Sequence, residues 1–182
     1  MIHADINAIA DKLEITDLLH TYCRSLDRYD RESLQSIFHR DSTHIMGGFE
    51  GLSIEFCDLA MNALDQYQHT HHLLGNILIN LEGDEARAES YFHAYHRVAA
   101  DTPAAGFIAD HTLGLDEDLI IAGRYVDRLQ RRGSVWKISH RTGILDWCRW
   151  EAVSDRGFFS AGMKPYGCRG RADSLYGIWT KL

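Results

Sequence analysis

The sequence predicts an α+β domain: N-terminal helices packed on the concave face of a strongly curved antiparallel or mixed sheet, a cone with one open end. Two observations carry this. Apolar residues recur at helical spacing through the first third of the chain and give way to long extended runs after about residue 70. Those runs fall into two pairs, each joined by a polar turn with a glycine, Glu82-Gly83-Asp84-Glu85 and Arg131-Arg132-Gly133-Ser134. A third observation sets the scale. The 182 residues suffice for one domain that buries about 70% of its unfolded surface without disulfide or metal.

Taken in order, Ile6, Ile9, Ala10 and Leu13 hold helical spacing, and a second run follows with Ile15, Leu18, Leu19, Tyr22 and Leu26. Asp30 is an N-cap for a short helix carrying Leu34, Ile37 and Phe38. Thr43 to Met46 reads as a short strand closed by Gly47-Gly48. Ser53 caps a third helix with Cys57, Ala60, Met61 and Leu64 on one stripe. The hairpins then pair His71–Leu81 with Ala86–Val98 and Leu119–Gln130 with Val135–Cys148. Between them runs a connection from about Ala99 to Asp118, with Pro103, Gly106 and Gly114, of a length associated with function or mobility. The cone is expected to span residues 1–150. Residues 151–182 form a glycine-rich extension, with Phe158, Phe159, Tyr166 and Tyr176, that closes the pocket mouth or meets a neighbouring subunit.

Composition removes several classes of function. Hydrophobic residues at 45% and charged residues at 25% exclude a disordered chain. A net charge of −7, from 19 basic against 26 acidic residues and with no basic stripe, argues against nucleic acid and anionic membranes as partners. No apolar run is long enough to span a bilayer. Met1-Ile2-His3-Ala4-Asp5 has neither the basic segment nor the apolar run of a secretory leader, so a cytoplasmic location is expected. Four cysteines without paired spacing read as free, buried thiols. The phosphate-cradling glycine motifs and the GxSxG elbow are missing, and Gly167-Cys168-Arg169-Gly170 follows no strand.

Polar groups that the apolar pattern does not explain mark the candidate chemistry. Tyr22 brings a hydroxyl to an apolar stripe, and Asp27 lies five residues on, roughly 140° around the helix, so the two flank a cavity. In His69-Thr70-His71-His72, alternation sends His69 and His71 to one face and Thr70 and His72 to the other. One inward histidine held by a carboxylate is a general base of fixed tautomer, a better reading than a metal ligand pair. Arg141 is a permanent charge in mid-strand, either a surface salt bridge or a group that steadies a developing oxyanion. Tyr91, His93 and Tyr95 share one strand face, and periodicity leaves open whether it is the pocket or the outer surface.

In this order and spacing the segments resemble the SnoaL-like branch of the nuclear transport factor 2-like (cystatin-like) superfamily. The resemblance covers about Ala8 to Trp150. It rests on Leu13-Glu14-Ile15-x-Asp17-Leu18-Leu19 with Tyr22-x4-Asp27, then Thr70-His71-His72-Leu73-Leu74-Gly75-Asn76. Gly123-Arg124-Tyr125-x-Asp127 and Trp136-Lys137-Ile138-x-His140-Arg141 complete it. Within the superfamily the chain is similar to three cofactor-free lyases: the bile acid 7α-dehydratases, hexachlorocyclohexane dehydrochlorinase and scytalone dehydratase. By that likeness Tyr22 and Asp27 match the dehydratases' tyrosine and aspartate. Asp27, His72 and Arg141 match the dehydrochlorinase's dyad and arginine. The dehydratases' second acidic pocket position falls on Tyr95, and the dehydrochlorinase has no tyrosine at position 22.

The likeness implies a cofactor-independent lyase for a hydrophobic, ring-bearing, hydroxylated small molecule. Asp27, His72, Tyr22 and Arg141 would be catalytic, and Tyr91, His93, Tyr95 and Tyr125 would bind substrate. No cofactor and no metal are expected. The same fold also serves non-catalytic binding modules, small subunits of ring-hydroxylating dioxygenases and polyketide-type cyclases or isomerases. A homo-oligomer, trimer or dimer, is expected as well.

Overall fold

The computed structural model describes residues 5–112, 114–154 and 167–179. Helix α1 (Ile6–Asp27) is continuous, joining the two runs of apolar spacing into one element of 22 residues, and Asp5 caps it by accepting from the Asn7 N–H at 3.0 Å. Asp30 caps α2 (Arg31–Ser36), accepting from the Ser33 N–H at 3.1 Å. Phe38 falls outside that helix and opens β1 (Phe38–Met46). Gly47 (φ 57°) and Gly48 (φ 85°) supply the left-handed backbone that a two-residue hairpin turn requires. They lead into β2 (Phe49–Leu52), a strand too short for its alternation to be seen in the sequence. Ser53 is not the cap of α3 (Ser53–Leu64) but its first residue, and Glu55 accepts from the Leu52 N–H at 3.2 Å instead.

The two hairpins are β3 (Tyr67–Glu82) with β4 (Glu85–Val98) and β5 (Glu117–Arg132) with β6 (Val135–Ala152). A short 3₁₀ turn (Gly170–Ala172) and α4 (Ser174–Trp179) follow. Of the aromatic residues of the extension, Phe158, Phe159 and Tyr166 lie outside the described residues.

The strands form one mixed sheet in the order β2-β1-β6-β5-β4-β3, with β1 and β6 parallel and every other pair antiparallel. Helices α1 and α3 cover one face. Ile15, Leu19, Tyr22 and Leu26 from α1 and Cys57, Met61 and Leu64 from α3 are buried in one core with Phe92, Leu129, Trp136 and Ile138 of the sheet. Each fully buried aliphatic side chain of this kind contributes about 1.5–3 kcal/mol. Small residues on β4, Ala86, Ala88 and Ala94, let the helices approach.

The first turns of α1 depart from the expected stripe. Ile6, Ile9 and Leu13 are exposed, because they lie on the opposite side of α1 from the face that meets the sheet, where Asp11 accepts from Arg131 and Trp136 and Ile15 is buried. The cysteines are free as expected, but burial holds only for Cys23 and Cys57; Cys148 is exposed and Cys168 half-buried. No helix among the described residues is long and apolar enough to cross a membrane.

The β5–β6 ladder shifts register between Ala122 and Gly123, where the two backbones close in. A Cβ on Gly123 would lie 2.1 Å from the Ile144 carbonyl oxygen and 2.9 Å from the Phe92 ring. Gly123→Ala is therefore expected to cost about 3 kcal/mol by overpacking. A urea unfolding midpoint that drops at unchanged slope would confirm it, and an unchanged midpoint would refute it.

Candidate active site

The last residue of α1 meets the edge strand. Asp27 accepts two hydrogen bonds from one residue, from His72 Nδ1 at 2.7 Å and from the His72 backbone N–H at 2.8 Å. Both side chains are largely buried, at 7% exposure for His72 and 10% for Asp27. Burial by itself would raise the Asp27 carboxyl, yet the bonds and charge of His72 outweigh it and hold the group below the ordinary carboxylate range. With Asp27 ionised, Nδ1 carries a proton, and in the neutral form of the ring the lone pair is therefore on Nε2.

One and a half turns earlier, Tyr22 packs over a buried cation. Arg141 has no exposed surface. Asp127 answers its charge through two bonds, Nε–H to Oδ1 at 2.7 Å and Nη2–H to Oδ2 at 2.8 Å. The guanidinium carbon lies 4.0 Å from the Tyr22 ring centre and 4.4 Å from that of Tyr125. The surface salt bridge that the sequence allowed is thus a buried one. Asp127 keeps Arg141 charged although burial works against it. Arg141 Nη1 is buried and has no hydrogen-bond partner. Burial raises the Tyr22 phenol well above its usual range, so it is a proton donor at neutral pH.

Of these groups, Tyr22, Tyr125 and His72 line a cavity of about 100 Å³ between α1, α3 and the inner sheet face. Tyr22, His72, Tyr125, Tyr67, Phe92 and His96 are among its walls. The Tyr125 and Phe92 rings stack at 4.4 Å, and Tyr22 meets Tyr125 edge-on at 5.2 Å. Arg141 is not in the wall. It lies behind the tyrosines and cannot touch a ligand in this arrangement. A larger groove of about 730 Å³, lined by Glu82, Arg87, Arg128 and Arg132 among others, holds neither Asp27 nor His72.

The β4 residues expected to bind substrate point the other way. Tyr91 and His93 are exposed and Tyr95 is half-buried on the outer face, where Tyr95 donates to Asp118 at 2.8 Å. Phe92, Ala94 and His96 face the cavity instead. Period-2 alternation defines two faces without saying which is inside. A usable signal was the charge: Glu85, Arg87, Glu89 and Arg97 share the parity of Tyr91, His93 and Tyr95. That parity turns the set to solvent.

His96 is thereby the polar wall residue that sequence reasoning missed. Its ring stands edge-on to that of His72 at 5.3 Å, and Nδ1 is buried without a partner. Burial, then the nearby His72, pushes it down to about 3, so it is neutral at physiological pH. On β3, His69 and His71 are exposed while Thr70 is buried, as alternation predicts. Among the described residues no group of three or more His, Cys, Asp or Glu is gathered to hold a metal ion.

The pattern of the SnoaL-like domain matches residues 7–142. The chain belongs to the SnoaL-like family. Its fold is shared with a hexachlorocyclohexane dehydrochlorinase, LinA type 2, at 22% identity and a TM-score of 0.70, over 85% of this chain and 97% of that one. The type 3 dehydrochlorinase of Novosphingobium barchaimii is 18% identical with a TM-score of 0.67, over 85% and 98%. A protein of Novosphingobium aromaticivorans assigned only provisionally as a scytalone dehydratase is 18% identical with a TM-score of 0.64, over 91% and 95%. No curated protein matches the sequence. At these identities the structures share the SnoaL-like fold, and the cystatin-like description of another match agrees with it.

Two expectations follow from the charges. Removing Asp127 leaves Arg141 buried and unanswered, so Asp127→Ala should cost about 3–5 kcal/mol. Part of that loss should return in the Asp127→Ala, Arg141→Met double variant, read by denaturant unfolding. Asp27 titrates lower in the folded chain than in the unfolded one, so its stabilisation is present above the unfolded value and is lost as pH falls. The urea midpoint of the native chain should therefore drop on acidification below about pH 4. It should drop less steeply in Asp27→Asn.

Proposed function

We propose that this SnoaL-like protein is a cofactor-independent lyase, acting on a hydrophobic, ring-bearing, hydroxylated small molecule. The observation that carries the reading is the two-point contact of Asp27 with His72, whose ring lies in the wall of a half-open, mostly apolar cavity that also presents Tyr22. A carboxylate that fixes the imidazole tautomer leaves Nε2 to remove a proton, either from carbon beside the departing group or from a substrate hydroxyl. Tyr22, protonated by virtue of its burial, donates to the oxygen that leaves or gains charge. Arg141 acts from behind, its charge holding the Tyr22 ring in place. His96, neutral and unpartnered at Nδ1, is available to hydrogen-bond the substrate.

Water is the favoured leaving group. The same groups serve C–C cleavage that releases a fragment such as formaldehyde, since deprotonating the hydroxyl starts that reaction. Size narrows the substrate. A cavity of about 100 Å³ is smaller than the apolar cavities of ~150 Å³ that hold benzene, so it takes at most one ring and excludes a fused four-ring skeleton. The proposal includes a homo-oligomer, for which exposed Leu73, Leu78, Tyr91 and Trp147 on the sheet supply apolar surface. The dehydrochlorinase and the provisional scytalone dehydratase among the similar structures support lyase chemistry as the class to test.

Product masses test it directly, over a panel of hydroxylated single-ring and steroid compounds. A loss of water, halide or formaldehyde is expected with the native protein and not with His72→Ala. Asp27→Asn should slow turnover by about 10⁴-fold, the size seen when a triad histidine loses its tautomer. Tyr22→Phe should cut kcat about 10²-fold or more at little cost in stability. Turnover by His72→Ala at the native rate would overturn the reading, and recovery of unchanged ligands bound to both proteins would favour a non-catalytic binding module.

A further inference from the structure

Helix α1 ends on Asp27 and the chain leaves it through a strained turn. Tyr29 has φ 54°, the left-handed region that non-glycine residues adopt only when their surroundings impose it. Part of what imposes it is the helix's own end, where the Arg28 N–H donates to the Arg24 carbonyl at 2.9 Å and the Asp30 N–H to the Ser25 carbonyl at 2.9 Å. The rest comes from the far end of the sequence. The Gly170 N–H donates to the Arg28 carbonyl at 3.0 Å. Arg28 Nη1 donates to the Cys168 carbonyl at 2.9 Å and to Asp173 Oδ2 at 2.5 Å. The Arg169 guanidinium lies over the Tyr29 ring at 4.8 Å.

Arg169 also reaches the other carrier of the dyad. Its Nη1 donates to the Tyr67 carbonyl at 2.6 Å, at the start of β3, five residues before His72. The segment 167–179 thus holds the end of α1 with one set of bonds and the start of β3 with another. Asp173 is its hub. It is buried, and besides Arg28 it accepts from the Cys168 N–H at 2.8 Å and the Leu175 N–H at 2.8 Å. These residues lie beyond 142, where the match to the SnoaL-like domain ends.

We infer that Asp173 and Arg169 are positioning residues, a clamp that fixes the separation of Asp27 and His72 from outside the family domain. The inference rests on the proposed dyad. Neither residue touches the cavity. Asp173 acts through Arg28, the neighbour of Asp27, and Arg169 acts through the Tyr29 ring and the Tyr67 backbone. A carboxylate–imidazole bond 2.7 Å long tolerates little relative motion of its two carriers, and catalytic geometry tolerates less than about 1 Å.

The test reads the dyad without turnover. In the ¹⁵N-labelled protein, the ring N–H of His72 bonded to Asp27 is expected to exchange slowly with solvent, and Asp27→Asn identifies its signal by abolishing it. Asp173→Ala and Arg169→Met are expected to speed that exchange by about tenfold or more while the amides of Leu129 and Ile138 in the core stay protected. In both variants kcat should fall by about tenfold with KM nearly unchanged, and Asp173→Glu should restore part of the loss. If Asp173→Ala also exposes the core amides, Arg169→Met decides. Native exchange at His72 in both variants, with the Cys168 and Leu175 amides freed in Asp173→Ala, would overturn the clamp. Normal turnover by Asp27→Asn would instead overturn the lyase proposal, while the exchange measurement would still decide the clamp.

Discussion

A guanidinium without exposed surface imposes the central constraint on this molecule. Taking the Arg141 charge out of water costs several kcal/mol unless its neighbours are arranged to answer it. Asp127 answers it with two parallel bonds, and the faces of Tyr22 and Tyr125 enclose it. These partners come from three elements: Arg141 from β6, Asp127 and Tyr125 from β5, Tyr22 from α1. The requirement to satisfy one buried charge therefore locks the long helix onto the centre of the sheet. It also sets the tyrosines that wall the cavity, and Phe92 stacks behind Tyr125 to extend that wall to β4.

From that anchor the helix carries the chemistry outward. Tyr22 is held over the cation, and Asp27, five residues further, comes out on the side where the edge strand β3 passes. A straight helix cannot bring both side chains to one point, so the hydroxyl meets the cavity directly while the carboxylate acts on it through His72. The backbone N–H of His72 binds the same carboxylate as its ring, which ties strand position and ring orientation together. Small volume adds to the effect. Around this site of about 100 Å³ the charges of Asp27, Asp127 and Arg141 are buried and poorly screened, and each fixed hydrogen bond weighs more than it would in water.

Much of this was legible in the sequence, and the rest fails for identifiable reasons. Helical spacing at Leu19, Tyr22 and Leu26 suffices to turn Tyr22 inward, because that pattern has one apolar side. Alternation through His69-Thr70-His71-His72 separates His71 from His72 without saying which is inside, and only the family resemblance singles out His72. The β4 strand lacks that asymmetry in its aromatic residues. Phe92 and His96 interleave with Tyr91, His93 and Tyr95, and only the charges at Glu85, Arg87, Glu89 and Arg97 reveal the outer face. The strand β2 is four residues long, too few for a period, and depends on Gly47 and Gly48 to fold back.

What the sequence by itself determined is most of the helices and strands, their order, the two long hairpin pairs and the inward side of Tyr22. All of these follow from periods and turns that act over a few residues. Only the tertiary structure decided the pairings across long separations. Asp27 joins His72 across 45 residues, Arg28 joins Asp173 across 145, and Arg141, read as a surface charge or a ligand to substrate, becomes a buried support for Tyr22. Such contacts leave no periodic trace, because a charged side chain reads the same in the sequence whether water or a distant partner answers it.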